Sequence, residues 1–211
     1  RSGAAEELAA AAIMTTDTVP KTAAVEMKLR GRSVRVGGIA KGAGMISPHL
    51  ATMLSFLTTD AAISPAMLRR ALRSVVERTY NRLTIDGDCS TNDTVAIMAN
   101  GASGMERIAA PGKDLDAFAA GLEAVAQQLV QAIARDGEGA TKLMIVTVRN
   151  ARTEEDADRV ARAIANSPLV KCAVHGGDPN WGRIICAAGY SGAPVDPGAM
   201  NLRIGGVLVF R

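Results

Sequence analysis

The sequence predicts an α/β protein with a larger first domain and a second, smaller α+β domain. Two segments, 23–29 and 33–39, alternate apolar and polar residues, as the strands of a half-buried sheet do. Residues 114–135 repeat apolar side chains every three or four positions, which is typical of an amphipathic helix. After that helix the pattern changes to strand, helix, strand. We therefore expect domains at 1–141 and 142–211.

Each element of the first domain has a local signal. An alanine-rich run at 2–13 with early acidic residues favours a helix. Arg30-Gly31-Arg32 separates the two alternating segments, which predicts an antiparallel hairpin. Ser64-Pro65 offers an N-cap followed by proline at the first helical position, so a helix should run to about Tyr80. Two further apolar runs predict strands at 53–63 and 94–99.

The second domain is predicted to alternate strands with one helix. An apolar strand at 143–149 precedes Thr153-Glu-Glu-Asp156, a capping box that begins a helix over 154–166. Later apolar runs predict strands at 169–174, 184–188 and 201–210.

Composition and charge restrict the class of protein. The chain has 211 residues, of which 48% are hydrophobic and 21% charged, as in soluble globular proteins. Its net charge of +3 comes from scattered basic residues, so we expect no nucleic-acid partner. No apolar run reaches the ~18 residues of a membrane span, and no signal-peptide pattern occurs. These features predict a cytoplasmic protein without membrane partners.

The cysteines and histidines argue against a metal centre. Cys89, Cys172 and Cys186 are an odd number at wide spacings, which fits a reducing cytosol better than a disulfide framework or a zinc site. Two histidines are too few for a histidine-based centre. The chain begins without Met in a helical pattern and stops in a strand pattern at 207–211, so we expect it to be part of a longer polypeptide.

A glycine-rich loop ahead of an apolar segment is the first candidate site. Its glycines allow positive φ and close approach of a ligand, and they are Gly37, Gly38, Gly42 and Gly44. The loop contains Lys41 and a turn at Ser47-Pro48, and Thr52 immediately precedes the apolar segment. Thr52 is therefore a candidate nucleophile with Lys41 as charge partner. The alternative is a glycine turn that leads into a buried strand, with Thr52 an ordinary β-branched residue.

Three other polar segments allow two interpretations each. Thr15–Thr18 either line a polar site or form a turn. Glu138, between two glycines, either approaches a substrate or is a solvated loop residue. The run that starts at Asp86 resembles the start of a calcium loop. An EF-hand, however, requires Gly and Glu where this chain has Thr91 and Ile97. A turn rich in Asx hydrogen bonds is the expected structure there.

Five segments, taken in order, resemble the motifs of one enzyme family. They are TTDTVPK, KGAGMISPHLATML, NRLTIDGDCSTNDT, DGEGATK and GGDPNWGRI. Over essentially its whole length the chain is similar to the ornithine acetyltransferases, the glutamate N-acetyltransferases of arginine biosynthesis. That family resembles the N-terminal-nucleophile hydrolases. The resemblance therefore implies an α+β sandwich of that type for residues 1–141.

The resemblance implies that a precursor cuts itself between Ala51 and Thr52. Thr52 Oγ attacks the preceding carbonyl, an N→O acyl shift gives an ester, and water opens it. The new α-amine has an unperturbed pKa of roughly 7.7–8.0, so it suits a general base near neutral pH. Acetyl then passes from N-acetylornithine to Thr52 and on to glutamate. This is a ping-pong transfer without a bound cofactor.

Three further positions are implied by the same resemblance. Thr15 and Lys41 are substrate-binding positions, with Thr16 as the alternative to Thr15, and Glu138 is an acid with catalytic and binding roles. Their chemistry agrees, because an ammonium suits a substrate carboxylate and a carboxylate suits an amino group or a proton transfer. The two remaining motif loops are expected to be structural, namely 86–94 and 175–183.

The chain departs from the family pattern in two regions. The oxyanion-hole Thr-Gly pair lies upstream of the Thr15 segment in this family, and further substrate-binding residues lie near its C-terminus. Neither region is in the sequence. An oxyanion donor contributes about 10²–10³ in rate, so we expect little acetyl transfer from this chain without them.

Several alternatives stay open at this point. One is an aminopeptidase or amidase of the related N-terminal-nucleophile type, and another is a non-catalytic fragment or assembly scaffold. Acetyl-CoA is a second acetyl donor in some family members. The family also implies α and β chains from one precursor in an α2β2 heterotetramer, in primary or in secondary metabolism.

Overall fold

A computed structural model describes residues 3–47, 53–88 and 90–211. The chain divides into two compact units, Arg1–Ala140 and Thr141–Arg211. The first unit is built on a four-stranded sheet, and the second consists mainly of short helices and a hairpin. Across the described residues, no helix combines the length and the apolar character needed to cross a membrane.

The sheet of the first unit is mixed. Its strands are β1 (Lys21–Leu29), β2 (Arg32–Lys41), β3 (Leu54–Thr59) and β4 (Thr94–Ala99). They lie in the order β1-β2-β3-β4, with the first two pairs antiparallel and β3 parallel to β4. The α-helices described in this unit are α1 (Gly3–Ala12), α2 (Pro65–Arg78) and α3 (Lys113–Arg135). The predicted α/β class is confirmed.

The predicted β1–β2 hairpin is confirmed. Arg30 and Gly31 form its turn with φ of 48° and 74°. Two consecutive residues with positive φ match the right-handed twist of the flanking strands. The register pairs Val25 with Val36 and runs on to the pair of Lys21 with Ala40.

Helix α3 covers one face of the sheet and contacts β1 and β2. Its predicted apolar side is buried throughout, at Leu115, Phe118, Leu122, Val125, Leu129 and Ile133. A glycine on the sheet and a glycine on the helix allow the two to pack closely. A Cβ at Gly38 in β2 would lie 2.5 Å from Leu57 Cδ2, and a Cβ at Gly121 in α3 would lie 1.8 Å from Met27 Cε.

Helix α2 begins where the sequence predicts. Ser64 Oγ accepts a hydrogen bond from Met67 N, and Pro65 occupies the first helical position. The helix connects β3 to the parallel strand β4 and packs against α3. The strand predicted at 53–63 is shorter, because Thr59 Oγ1 donates to Arg35 O and accepts from Ala61 N and so turns the chain.

The second unit has more helix than predicted. Helix α4 (Glu154–Asn166) is confirmed, with Thr153 Oγ1 accepting from Asp156 N at 3.0 Å. The strands predicted at 169–174 and 184–188 are wrong. These residues form α5 (Pro168–Gly176) and α6 (Trp181–Gly189).

Local capping explains both helices. Ser167 Oγ accepts from Val170 N, and Gly177 ends α5 with φ of 73°, the left-handed conformation that favours glycine. Asn180 Oδ1 accepts from Arg183 N and begins α6. The motif 175–183 therefore runs from the end of α5 through a short connection into the start of α6. Its structural role stays a prediction.

Two predicted strands of this unit need correction. Residues 143–149 are not a strand, since no described segment pairs with their backbone. Their alternate apolar side chains still pack on the core of this unit, at Met144, Val146 and Val148. The strand predicted at 201–210 is a hairpin of β5 (Leu202–Ile204) and β6 (Val207–Phe210). Gly205 and Gly206 divide it, with φ of 56° and 86°.

Candidate functional site

The glycine loop after β2 brings two of the predicted site residues together. Lys41, the last residue of β2, is only 6% exposed. Its Nζ donates to Thr15 Oγ1 at 3.3 Å. Thr15, rather than its neighbour Thr16, is thus the threonine that contacts Lys41. The substrate-binding roles of Thr15 and Lys41 stay predictions.

Glu138 lies against the same loop. Its backbone N donates to Ala43 O at 2.7 Å. Its exposed carboxyl group passes directly over Gly44, where a Cβ would lie 2.7 Å from Glu138 Cδ. Any side chain at Gly44 would therefore displace this carboxylate. The Glu138 carboxylate therefore lies against the glycine loop that begins at the buried Lys41.

The candidate nucleophile and the bond before it cannot be located in the same way. Ala51 and Thr52 lie outside the described residues, and Met53 is the first residue described after them. The register of the sheet nevertheless pairs Lys41 with Leu54. Lys41 is thus opposite a residue two positions after Thr52 in the sequence.

Asp17 joins the Thr15 segment to the glycine loop. This carboxylate is 8% exposed. Its Oδ1 accepts from Gly42 N at 2.6 Å, and its Oδ2 accepts from Thr15 N at 3.2 Å. Burial alone would raise the pKa of Asp17, but these amides and the Lys21 ammonium outweigh it and lower the pKa. One carboxylate therefore fixes the backbone beside both Thr15 and Lys41.

Lys21 connects Asp17 to the Glu138 loop. Its Nζ lies 2.6 Å from Asp17 Oδ1 and 2.5 Å from Asp136 Oδ2. Thr18 also donates to Asp136, from its backbone N at 2.9 Å and from its hydroxyl. Burial acts to raise the pKa of Asp136. The hydrogen bonds from Lys21 and Thr18 prevail and lower it to about 2.

The loop 86–94 supports the site from another side. Asp86 accepts from Met45 N at 2.5 Å and from Ile46 N at 3.0 Å, so both carboxylate oxygens bind backbone amides of the glycine loop. Ile85 N donates to Ile46 O at 2.7 Å. Met45 has φ of 55°, uncommon for a residue with a side chain, and these bonds hold it there. These bonds support the structural role predicted for this loop, which stays a prediction.

Asp93 binds the backbone at Met53, the first described residue after Thr52. Its Oδ1 accepts from Met53 N at 2.6 Å. Its Oδ2 is buried and has no hydrogen-bond partner among the residues described. Burial raises the pKa of this carboxyl group, and the Met53 amide and the Lys41 charge offset only part of the rise.

Five charged side chains of the candidate site were not predicted as site residues from the sequence, and they are Asp17, Lys21, Asp86, Asp93 and Asp136. Each lies inside one of the family-like motifs, and that membership was the available signal. In the described parts of the chain, no group of three His, Cys, Asp or Glu side chains is placed to hold a metal ion.

Comparison with known proteins gives a consistent result. The model of the ArgJ family matches residues 2–211. The chain is 53% identical over 203 residues to "Arginine biosynthesis bifunctional protein ArgJ" of Symbiobacterium thermophilum, covering 96% of this chain and 50% of that protein. It is also 53% identical over 196 residues to "Glutamate N-acetyltransferase" of Methanocaldococcus jannaschii, covering 92% of this chain and 48% of that protein.

A solved structure is similar as well. The crystal structure of arginine biosynthesis bifunctional protein ArgJ from Bacillus halodurans superimposes with a TM-score of 0.68 at 44% sequence identity. The match covers 72% of this chain and 70% of that chain. The chain spans about half the length of the curated relatives it matches. A family match over 2–211, with the motifs that gather at the glycine loop, shows that the chain belongs to the ArgJ family.

Proposed function

We propose that this protein is a self-processing acetyltransferase that moves acetyl from N2-acetyl-L-ornithine to L-glutamate. The observation that carries the proposal is the convergence of three other motifs on the motif that contains the glycine loop 41–47. They contribute the Lys41–Thr15 contact, the Glu138 carboxylate beside Gly44, and the carboxylates that hold the loop. The printed names of the relatives, an arginine-biosynthesis protein and a glutamate N-acetyltransferase, support the same reaction.

Lys41 is suited to bind a substrate carboxylate. Its ammonium has three donors, and within the described residues one of them goes to the neutral Thr15 hydroxyl. The hydrogen-bond partner described for this buried ammonium is neutral, and the Asp93 carboxyl group acts on it only through its charge. Donors therefore remain for a charge-assisted hydrogen bond to an anion. N-acetylornithine and glutamate both carry an α-carboxylate. Lys41 and Thr15 therefore serve both half-reactions.

Thr52 is the proposed nucleophile. Cleavage after Ala51 frees its α-amine, and that amine accepts the Oγ proton as Oγ attacks the acetyl carbonyl of N-acetylornithine. Ornithine leaves after it takes up that proton, and an acetyl-threonine ester remains. The neutral amino group of glutamate then attacks the ester carbonyl, the bond to Thr52 Oγ breaks, Oγ takes up the proton that the amino group loses, and N-acetylglutamate leaves. Glu138 is the proposed group that binds this amino group or accepts a proton from it.

The remaining parts of the proposal concern donors and assembly. The reaction needs no bound cofactor, because the acetyl group stays on the enzyme between the two half-reactions. Acetyl-CoA is a second donor to test. The two chains produced by cleavage stay together as α and β, in an α2β2 heterotetramer.

Intact mass of the full-length protein tests the processing step. Wild type should give two chains that separate between Ala51 and Thr52, and Thr52→Ala should give one. A single mass for wild type, the same as for Thr52→Ala, would exclude self-processing and leave the non-catalytic scaffold as the alternative.

Substrate assays then test the reaction. Acetyl transfer from N-acetylornithine to glutamate is compared with hydrolysis of simple amide and peptide substrates by the same preparation. We expect transfer to be the faster reaction. Faster hydrolysis would favour the aminopeptidase or amidase alternative, and an assay with acetyl-CoA as donor tests the second acetyl source.

A further inference from the structure

A buried network of Asp17, Lys21 and Asp136 links the two sides of the proposed site. Lys21 is 1% exposed. Its Nζ donates to Asp17 Oδ1 at 2.6 Å, to Asp136 Oδ2 at 2.5 Å and to Val19 O at 3.3 Å. Since an ammonium has three donors, every donor of Lys21 is used inside the protein. Unlike Lys41, Lys21 keeps none for a substrate.

The Asp17 end of the network controls the Lys41 side. Asp17 accepts from Gly42 N at 2.6 Å and from Thr15 N at 3.2 Å. Gly42 is covalently joined to Lys41, so this one carboxylate sets where the backbones of Lys41 and Thr15 lie. The side-chain hydrogen bond between those two residues, at 3.3 Å, depends on that placement.

The Asp136 end controls the Glu138 side. Helix α3 ends at Arg135, and Asp136 begins the short loop that carries Glu138. Besides Lys21, Asp136 binds the backbone N and the hydroxyl of Thr18. Asp136 is therefore anchored by three donors, two from the segment before β1 and one from the first residue of β1. Glu138, two residues later, is held to the glycine loop through Ala43 O at 2.7 Å.

We propose that Asp17, Lys21 and Asp136 are positioning residues that fix the distance between the Lys41–Thr15 pair and the Glu138 carboxylate. The inference rests on the proposed function, because it assumes that Lys41 and Glu138 act on substrate. None of the three network residues has to touch the substrate. A displacement of about 1 Å at a reacting group costs up to 10²-fold in rate, so a loosened network lowers activity from a distance.

Kinetics of the full-length protein test the inference through non-additivity. Asp136→Asn removes the charge that binds Lys21 and keeps the shape of the side chain. We expect kcat/KM for glutamate acetylation to fall at least about tenfold, mainly through kcat. Combined with Glu138→Gln, it should cost less than about twofold more than Glu138→Gln alone. Once the Glu138 carboxylate is gone, its placement no longer matters.

The other end of the network has its own pair of variants. Asp17→Asn should raise KM for both substrates, as should Lys41→Ala, because it loosens the group proposed to bind their carboxylates. The double variant of Asp17→Asn with Lys41→Ala should again be no worse than Lys41→Ala. This split, with kcat affected mainly at the Asp136 end and KM at the Asp17 end, is not expected from a general loss of stability.

A matched control breaks an ion pair elsewhere in the same unit. Glu123 Oε2 lies 2.7 Å from Arg78 Nη2 and joins α3 to α2. Glu123→Gln should lower the thermal midpoint and leave kcat/KM nearly unchanged. Combined with Glu138→Gln it should be additive. Thr18→Ala, which removes one donor to Asp136, repeats the test more mildly if an Asp variant does not fold.

The outcomes separate this inference from the proposed function. An inactive wild-type protein would contradict both the proposed function and the network proposal. An active wild type in which Asp136→Asn keeps its activity within about twofold, or in which its effect multiplies that of Glu138→Gln, overturns only the network proposal. The non-additive result in an active enzyme supports it.

Discussion

Lys21 Nζ and Asp136 Oδ2 lie 2.5 Å apart although the two residues are separated by 115 positions in the sequence. The contact joins the first residue of β1 to the residue after the longest helix of the chain. Both side chains are almost fully withdrawn from solvent, at 0% and 7% exposure. A charge contact of this kind is costly to break, because it leaves a charge buried without its partner.

Lys21→Met should therefore destabilise the protein strongly. The substitution keeps most of the volume and removes the counter-ion shared by Asp17 and Asp136. Breaking a buried ion pair typically costs about 3–5 kcal/mol in the free energy of unfolding. Urea denaturation at neutral pH measures this loss. Arg35→Met is the control, since Arg35 pairs with Glu26 at an exposed position and its loss should leave stability almost unchanged. Equal midpoints for the two variants would contradict the prediction.

Stability should also fall in acid through the same network. The pKa of Asp136 is lowered from 3.8 to about 2 in the folded protein, and that of Asp17 is lowered as well. A carboxyl group with a lower pKa in the folded state stabilises it at pH values above the unfolded pKa. That stabilisation is lost as pH falls through the folded pKa. We expect the loss between about pH 4 and pH 2.

Asp136→Asn removes one of these titrating groups, so a comparison of its stability with that of wild type at each pH tests the prediction. Its urea midpoint at neutral pH should lie below that of wild type, and its further fall from about pH 4 to pH 2 should be smaller. Parallel curves for the two proteins would show that Asp136 does not contribute.

Asp93 should affect the proposed self-cleavage. Asp93→Ala removes the acceptor of Met53 N, one residue beyond the proposed scissile bond. A poorly placed reacting group loses up to 10²-fold in rate, so we expect cleavage to slow by about tenfold or more. Asp93→Asn keeps an oxygen acceptor and should cleave faster than Asp93→Ala. Intact mass at successive times after purification follows the reaction.

Asp88→Ala is the control for that experiment, because Asp88 is an exposed carboxylate of the same loop. It should cleave at the wild-type rate. If Asp93→Ala matches it, the Met53 contact has no part in processing.

Gly38 and Gly121 should differ in their tolerance of alanine. A Cβ at Gly38 meets Leu57 Cδ2 at 2.5 Å, Leu129 Cδ1 at 3.2 Å and backbone Phe56 O at 3.2 Å, so Gly38→Ala should cost about 1–3 kcal/mol. A Cβ at Gly121 meets the end of the flexible Met27 side chain, which is able to move. Alanine also favours a helix by roughly 1 kcal/mol over glycine, so Gly121→Ala should cost less. Thermal midpoints measure both, and the reverse order would contradict this packing argument.

Local patterns were sufficient for elements that depend on neighbouring residues. The β1–β2 hairpin follows from the Arg30-Gly31 turn, the start of α2 from Ser64-Pro65, and the buried face of α3 from a regular apolar spacing. The helices α5 and α6 were predicted as strands, because short apolar runs do not distinguish a strand from a short helix. Ser167-Pro168 repeats the start signal of α2 and was the available correction.

The motifs likewise identified the family and proposed three described residues of the candidate site, Thr15, Lys41 and Glu138, from the sequence alone. Their mutual placement, and the partners of the charges around them, required the path of the chain in three dimensions. Lys21 and Asp136 are typical of this second group, since nothing near either residue in the sequence specifies a partner 115 positions away. A buried charge is paired with whatever the packing of sheet and helix brings next to it, and packing is a long-range property.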